Sequence, residues 1–317
     1  MRIPLLILIE SVKDYLPRFE QSGFAPVWAP TAEARARTIA ERGQDIRIVL
    51  TRGATGLRGD EMQAMPRLEI VCSLGVGYEN IDLDAARRRG IVVTHGPGTN
   101  AVSVADHAMA LLLGAARRLP QADAAVRRGG WSGFMGPQVA GKRLGLIGLG
   151  HIGREIARRG ALGFGMRVGY CTRRPRPESG YAHYADVRAL ARDSDFLVVA
   201  APGGAATHHL VDETVLDALG PQGYLVNVAR GSVVDTQALI AALEQGRIAG
   251  AGLDVVEGEP DVPEALKRLD NVVLTPHSAG RSPEAVENTV SLFLQNAAAH
   301  FAGRPVLTPV PDAGHRG

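Results

Sequence analysis

The sequence has little of what marks a secreted, membrane-bound or nucleic-acid-binding protein. Two cysteines in 317 residues, Cys72 and Cys171, exclude a disulfide framework and a four-cysteine zinc site. The apolar stretch at residues 3–9 is far shorter than the roughly 20 residues that a transmembrane helix needs. The formal net charge of +2, from 35 basic and 33 acidic residues, favours neither a phosphate backbone nor an anionic membrane. We therefore expect a cytoplasmic protein with no nucleic-acid or membrane partner.

What the sequence does contain is the alternation of short β-branched or Leu-rich runs with longer Ala-, Arg- and Leu-rich segments. This alternation is typical of βαβ units, so the predicted fold class is α/β with parallel sheets. A chain of 317 residues also suggests two domains. The predicted strands are Leu5–Ile9, Ile46–Leu50, Leu68–Cys72 and Ile91–Thr94, then Leu144–Ile147, Arg167–Tyr170, Phe196–Ala200, Tyr224–Val228, Ala251–Val255 and Val272–Leu274. The second group has six strands, as in a full dinucleotide-binding sheet.

The helices are less sharply bounded in the sequence than the strands. A long, largely apolar helix is predicted over Ser103–Leu119, with Pro120 as its stop. Asp235 is expected to cap a later helix and Gly246 to end it. The segment after Gly303 is expected to be mobile.

A glycine-rich turn gives the strongest sign of a cofactor. It runs Gly148-Leu149-Gly150-His151-Ile152-Gly153, directly after a predicted strand and at the start of a predicted helix. In a dinucleotide fold, the three glycines permit a tight turn, the close approach of a pyrophosphate and close packing of helix on strand. The alternative is a purely structural turn, which the preceding strand, the following helix and the five further predicted strands argue against.

The end of the second strand in this group indicates which nicotinamide is bound. NAD-binding folds place an acidic side chain there, to bind the adenosine ribose. This sequence instead has Cys171, followed by Thr172, Arg173 and Arg174, whose hydroxyl and guanidinium groups suit a 2′-phosphate. We therefore predict that NADP(H) is preferred and that NAD(H) remains possible. The alternative is an exposed basic turn.

Three residues suited to reducing a 2-oxo acid follow the last three predicted strands. Arg230 can bind the substrate carboxylate and polarise its carbonyl, and His277 can give or take a proton near neutral pH. Glu259 can hold the imidazole in one orientation. Each residue taken alone also has an ordinary structural explanation. Asp254 could reach either the cofactor ribose or a buried backbone amide, and no metal-ligand spacing stands out, so we expect no metal.

Taken together, these motifs resemble those of the D-isomer-specific 2-hydroxyacid dehydrogenases, a family that includes hydroxypyruvate/glyoxylate and hydroxyphenylpyruvate reductases. The resemblance covers nearly the whole chain. The motifs that carry it are Gly75-Val76-Gly77 with Asn80-Ile81-Asp82, the Gly98–Asp106 segment, Gly148–Gly153, Asn227–Gly231, Gly252–Val255 with Glu257–Pro260, and Leu274–His277.

The resemblance implies two Rossmann-like domains, a six-stranded dinucleotide-binding domain at residues 99–279 and a smaller flavodoxin-like substrate domain made of residues 1–98 and 280–317. The active site would lie in the cleft between them, and the protein would be a homodimer. Arg230 would bind the carboxylate with help from the backbone amides of Val76 and Gly77, and Glu259 and His277 would form the acid/base pair. The cofactor site would further include Val228, Ala229, Asp254 and Gly280.

By the same resemblance, the protein would be an NAD(P)-dependent oxidoreductase acting on CH-OH donors, with D stereochemistry. Its substrate would be a small or aryl 2-oxo acid of the glyoxylate, hydroxypyruvate or phenylpyruvate type. Leu74, Trp131 and Phe134 are candidates for the lining of the substrate pocket. Two alternatives remain: a nucleotide-sensing protein similar to the corepressors that resemble this family, and a relative of the formate or phosphite dehydrogenases.

Overall fold

In the computed structural model, which describes residues 2–311, the strands form two separate parallel sheets. The described chain divides into two units. One consists of residues 2–100 and 282–311, and the other of Ala101–Arg281. The last six residues of the predicted segment 280–317 lie outside the described residues. The predicted α/β class with two parallel sheets is confirmed.

The first unit begins with alternating strands and helices. They are β1 (Ile3–Ile7), α1 (Leu16–Gln21), β2 (Phe24–Trp28), α2 (Ala32–Arg42), β3 (Ile48–Thr51), α3 (Gly59–Gln63), β4 (Ile70–Ser73), α4 (Leu83–Arg88) and β5 (Val92–Thr94). The sheet order is β2-β1-β3-β4-β5, which is the flavodoxin-like order. The strand β2 is absent from the predicted strands because Pro26 interrupts its apolar pattern. Proline is tolerated there because β2 is an edge strand.

The second unit carries the larger sheet. Its elements are α5 (Ala101–Arg117), α6 (Leu119–Arg127), β6 (Arg143–Ile147), α7 (His151–Phe164), β7 (Arg167–Cys171), β8 (Ala182–Tyr184), α8 (Val187–Arg192), β9 (Phe196–Val199), α9 (Glu213–Leu219), β10 (Tyr224–Asn227), α10 (Thr236–Glu244), β11 (Gly250–Leu253), α11 (Glu264–Lys267) and β12 (Val272–Leu274). A further helix, α12 (Pro283–Phe301), returns to the first unit.

The larger sheet has the order β8-β7-β6-β9-β10-β11-β12, so it contains seven strands rather than the predicted six. The additional strand, β8, has only three residues, of which Ala182 and His183 are exposed. Such a short edge strand has no apolar pattern from which to predict it. The chain reverses direction across the sheet between β6 and β9, where dinucleotide folds bind their ligand.

Successive apolar side chains of the central strands point to opposite faces of the larger sheet, and helices cover both faces. Phe196 and Val198 of β9 pack on one face with α5 and α7, whereas Leu197 and Val199 pack on the other face with α8, α9 and α10. Successive side chains of a strand point to opposite faces, so a strand that is apolar throughout must be buried on both. With both faces covered, the loops that follow the carboxyl ends of the strands remain accessible.

Helix ends agree with the sequence signals, with one exception. The Asp235 carboxylate accepts hydrogen bonds from the Gln237 and Ala238 amides, both at 3.0 Å, and Gly246 follows α10 with φ +65°. The prediction that Pro120 stops the long helix is wrong. The helix α5 ends at Arg117, Arg118 takes a left-handed conformation with φ 49°, and Pro120 lies in the first turn of α6, where its missing N–H costs nothing.

In the first unit, α12 completes one face of the smaller sheet. Phe293 packs edge-on against Phe19 at a centroid distance of 5.4 Å and contacts Phe24 at 5.9 Å. The segment expected to be mobile is held in part, because Asn296 of α12 accepts hydrogen bonds from the Leu307 and Thr308 amides at 2.8 and 3.2 Å. No helix among residues 2–311 is both long and apolar enough to span a membrane.

Candidate active site

The loop between β6 and α7 is built by its three glycines. Gly148 has φ +98°, and a Cβ there would lie 2.9 Å from the backbone of Ala200 and Ala201 at the end of β9. A Cβ on Gly153 would lie 2.2 Å from the Gly148 carbonyl oxygen. These two positions therefore need glycine so that strand, loop and helix can pack closely.

Gly150 is not needed for packing within the protein, because a Cβ there would meet no described atom within 4 Å. The open space lies at the start of α7, where the first intrahelical bond runs from the Arg154 amide to the Gly150 carbonyl at 3.0 Å. The amides of His151, Ile152 and Gly153 precede this ladder and are available to an anion at the positive end of the helix. Leu149 is buried beneath the loop. The residues present therefore fit the pyrophosphate of a dinucleotide.

At the end of β7, a thiol occupies the place of the usual acid. Burial, and to a smaller degree the carboxylate of Asp186, raise the pKa of Cys171, so the thiol is uncharged at neutral pH. The Thr172 hydroxyl donates to the Arg174 carbonyl at 2.7 Å and shapes the turn. Arg173 and Arg174 are exposed, and no carboxylate of residues 2–311 pairs with either guanidinium. The turn therefore offers two exposed guanidinium groups that no carboxylate of the described residues neutralises by an ion pair.

The turn after β10 is held by the buried side chain of Asn227. Its amide donates to the Arg230 carbonyl at 3.0 Å, and its oxygen accepts from the Ala229 amide at 3.0 Å. Val228 and Ala229 are buried at the strand end. The Arg230 guanidinium donates to the Ala229 carbonyl at 2.7 Å. The backbone that presents Arg230 is thus fixed by the residue that ends the strand.

Glycine also brings the Arg230 turn against the segment that follows β11. A Cβ on Gly231 would lie 2.1 Å from the Val256 carbonyl carbon and 2.3 Å from the Glu257 amide nitrogen. Only glycine permits this approach. The turn that carries Arg230 therefore packs directly on the segment that leads to Glu259.

Asp254, at the end of β11, binds buried backbone amides, which is one of the two environments predicted for it. Its side chain is buried, and its oxygens accept hydrogen bonds from the Ser278 and Ala279 amides at 2.8 and 2.9 Å. The Thr275 hydroxyl donates to it at 2.6 Å. Asp254 therefore fixes the loop after β12, which contains His277 and continues into the turn at Gly280. A bond to the cofactor ribose stays a prediction.

His277 and Glu259 form a hydrogen-bonded pair. The imidazole Nδ1 lies 2.5 Å from the Glu259 Oε1, and the Val256 amide donates to the Glu259 Oε2 at 3.4 Å. With Nδ1 facing the carboxylate, the other ring nitrogen, Nε2, is left to exchange protons. His277 has φ 51°, an uncommon conformation for a residue other than glycine, and its amide is held by the Asp254 carbonyl at 2.8 Å.

Val76 and Gly77 lie in the first unit, in the loop after β4. The Ser73 hydroxyl donates to the Gly77 carbonyl at 2.5 Å, and the His95 Nδ1 lies 3.0 Å from the Val76 carbonyl. These contacts occupy both carbonyl oxygens, and Val76 itself is exposed. Their role toward a carboxylate stays a prediction, as does the lining role of Leu74, Trp131 and Phe134, of which the last two are exposed.

His107, to which the sequence motifs assign no role, has two partners in the structure. Its Nε2 lies 2.9 Å from the Thr275 hydroxyl and 3.4 Å from the Asp254 carboxylate. Because the Thr275 hydroxyl donates its one hydrogen to Asp254, His107 must donate to Thr275 through Nε2–H. A histidine among the buried residues of the apolar helix α5 needs a partner, and this signal was available in the sequence.

The close packing at Gly153 can be tested against Gly163, which lies in the same helix. We expect Gly153→Ala to weaken NADPH binding, because the added methyl group must push the Gly148 carbonyl away. Overpacking of this kind costs about 1–3 kcal/mol, which corresponds to roughly a 5- to 150-fold loss in affinity. Gly163→Ala, where a Cβ meets nothing within 4 Å, should leave binding unchanged. Fluorescence titration with NADPH measures the affinity of each variant. A Gly153→Ala affinity equal to that of the wild type would contradict this role of Gly153.

Comparison with known proteins agrees with this geometry. Residues 109–279 match the family model of the D-isomer specific 2-hydroxyacid dehydrogenase NAD binding domain. Hydroxyphenylpyruvate reductase of Plectranthus scutellarioides is 42% identical over 283 residues, which are 88% of this chain and 90% of that protein. The 2-ketogluconate reductase of Gluconobacter oxydans is 42% identical over 84% of this chain and 86% of that protein.

A similar solved structure is the NADPH-dependent glyoxylate/hydroxypyruvate reductase from Sinorhizobium meliloti in complex with NADP and malonate. It has a TM-score of 0.89 and 41% identity, and the match covers 98% of this chain and 97% of that one. The resemblance inferred from the sequence motifs is confirmed. This chain belongs to the D-isomer-specific 2-hydroxyacid dehydrogenase family and is an NAD(P)-dependent oxidoreductase.

Proposed function

We propose that this protein is an NADPH-dependent reductase that converts small or aryl 2-oxo acids of the glyoxylate, hydroxypyruvate or phenylpyruvate type into D-2-hydroxy acids. The observation that carries the proposal is the 2.5 Å contact between His277 and Glu259, at the same edge of the sheet as the glycine loop and the Arg230 turn. The names of the relatives support this substrate class rather than a corepressor or a formate or phosphite dehydrogenase.

The chain's own residues provide substrate binding and proton transfer. The bound nicotinamide supplies the hydride for the carbonyl carbon. Arg230 binds the carboxylate and polarises the carbonyl oxygen, because a guanidinium can pair with both groups at once. As negative charge develops on that oxygen, His277 donates its Nε2 proton to it. Glu259 keeps the Nδ1 hydrogen in place, so the ring cannot turn away from the substrate.

After the proton transfer, the imidazole is neutral and takes a new proton from solvent. The exposure of the His277 side chain, 42%, provides access to water for this step. The same geometry works in reverse, with the neutral imidazole accepting the hydroxyl proton of a 2-hydroxy acid.

The proposed activity can be tested with a substrate screen. Steady-state rates with glyoxylate, hydroxypyruvate, phenylpyruvate, 4-hydroxyphenylpyruvate, 2-ketogluconate and formate, each with both nicotinamides, should show turnover of one or more 2-oxo acids. Chiral chromatography should identify the product as the D isomer. Cofactor binding without turnover of any of these acids would favour a sensor over an enzyme, and activity on formate alone would also contradict the proposal.

Replacement of His277 by Asn tests the proton donor. We expect the rate of reduction to fall by roughly 10²–10⁴-fold, because a general acid contributes about that much. The affinity for NADPH should stay the same, and the dependence of kcat on pH near neutrality should flatten. Glu259→Gln should also lower kcat, whereas Glu264→Gln, an exposed carboxylate on α11, should not. A variant of His277 with a near-normal rate would rule it out as the acid.

The cofactor preference is proposed from the turn after β7. Arg173 and Arg174 are exposed beside an uncharged thiol, so a 2′-phosphate meets two positive charges and no carboxylate at the position of the usual acid. One or two charge-assisted hydrogen bonds correspond to a preference for NADPH of about tenfold to several hundredfold. High salt should reduce the preference, because both guanidinium groups are accessible to counterions.

Substitution of this arginine pair separates phosphate binding from loop stability. Arg173→Ala with Arg174→Ala should weaken NADPH binding far more than NADH binding. The addition of Cys171→Asp should move the preference toward NADH. Arg87→Ala with Arg88→Ala, an adjacent exposed pair on α4, is the matched control and should change neither. Calorimetric titration of both cofactors measures these differences. Equal losses for NADH and NADPH would mean that the arginines only stabilise the loop.

We further propose that the protein is a homodimer, as the family resemblance implies. The supporting observation is a set of exposed apolar side chains on α6 and just after it, namely Leu119, Val126, Trp131 and Met135. Size-exclusion chromatography with light scattering should give about twice the chain mass of 33.5 kDa. Trp131→Lys with Met135→Lys should give the monomer, whereas Leu162→Lys, at an exposed apolar site on α7, should not. A monomeric wild-type protein would contradict this assembly.

A further inference from the structure

Two adjacent histidines meet a glutamate that lies far away in the sequence. His208 and His209 follow β9, and Glu257 follows β11, 48 residues after His209. Within residues 2–311, each of these three side chains places one potential ligand atom within 4.8 Å of a potential ligand atom of the other two. Neither histidine has a part in the reaction proposed above, and no ligand spacing marked them in the sequence.

The two known distances between potential ligand atoms are close to those in the coordination shell of a tetrahedral metal ion. The His209 Nε2 lies 3.0 Å from the Glu257 Oε1, and the His208 Nε2 lies 3.8 Å from the same oxygen. With zinc-to-ligand bonds of about 2.0–2.2 Å, neighbouring ligand atoms of a tetrahedron are about 3.3–3.6 Å apart. The two observed distances lie on either side of this range.

To bind one ion, the imidazole rings of His208 and His209 must both direct a nitrogen toward it, and the exposed His208 ring is free to rotate. They are stacked, with centroids 3.9 Å apart and planes at 28°, and the Nε2 atoms of both rings lie near the same Glu257 oxygen. His208 is 55% exposed and can rotate toward the carboxylate. His209 is held: its φ is 49°, its amide donates to the Ser232 carbonyl at 2.8 Å, and its Nδ1 lies 3.7 Å from the Asp235 carboxylate. A carboxylate behind a ligating histidine is a usual partner in metal sites.

The ligand types select the class of ion. Two imidazoles and one carboxylate suit zinc and the neighbouring late first-row divalent ions, whereas magnesium and calcium require a shell made mostly of oxygens. Three protein ligands leave a fourth position for water. Glu257 also lies two residues before Glu259, in the segment on which Gly231 packs. An ion here would tie the loop after β9 to the segment that supports the proposed active site.

We propose that His208, His209 and Glu257 form a binding site for zinc or a similar divalent transition-metal ion, separate from the proposed acid/base pair. The site does not depend on the proposed reaction. Because such an ion binds the folded protein and cross-links two segments of the second unit, it should raise the melting temperature.

Calorimetric titration of zinc chloride into protein without an affinity tag, first stripped of metal with a chelator, tests this site. We expect one ion per chain. His209→Gln and Glu257→Gln should each weaken binding by at least about tenfold, since even second-shell changes typically cost 10- to 100-fold. His208→Ala should also weaken it. Magnesium chloride should give no binding heat.

His277→Asn is the control that separates the two histidine–glutamate pairs, and it should keep full zinc affinity. If this variant lost zinc binding while the Glu257 variant kept it, the ion would belong to the proposed active site and the proposal would be wrong. Unchanged affinity in all three ligand variants would also overturn it. Circular dichroism of the metal-free variants should match the wild type, which shows that any loss of binding comes from the ligand and not from unfolding.

Discussion

The buried carboxylate of Asp254 holds the loop that carries His277 of the His277–Glu259 pair. A charge out of contact with water is tolerated only when hydrogen bonds replace its hydration. Here the donors are the Ser278 and Ala279 amides and the Thr275 hydroxyl, so the requirement to satisfy the charge also fixes the loop after β12. His277 lies within this loop, and its left-handed backbone is a conformation that the surrounding bonds impose.

The position of the His277–Glu259 pair also depends on the parallel sheet. Because all strands of the larger sheet run the same way, the segments that follow β6, β10, β11 and β12 leave it at one edge. Residues that are far apart in the sequence therefore lie close together at this end of the sheet. Glycines then set how closely the segments approach, as the contact of Gly231 with the Val256 backbone shows.

Most of the fold could be predicted from the sequence because its strands are apolar throughout and buried on both faces. The two strands that were missed lie at sheet edges, where burial is weaker: β2 contains Pro26, and β8 has only three residues. The glycine loop, Arg230, Glu259 and His277 could be named because each follows a recognisable strand.

What could not be predicted depends on contacts between residues far apart in the sequence. Asp254 had two possible environments, and only the position of the loop after β12 distinguishes them. The partners of His107 and of His209 lie 168 and 48 residues away, and neither distance corresponds to a local ligand or capping motif. The left-handed backbone at His277 likewise follows from tertiary hydrogen bonds and not from a residue preference.

The return of α12 to the first unit has a consequence for synthesis on the ribosome. The smaller sheet emerges first, yet the helix that covers one of its faces through Phe293 is made only after the whole of the second unit. Until then, Phe19 and Phe24 lack their aromatic partner. The second unit is a single continuous segment and can complete its core during translation, so the first unit is the part of the nascent chain that depends most on protection by chaperones.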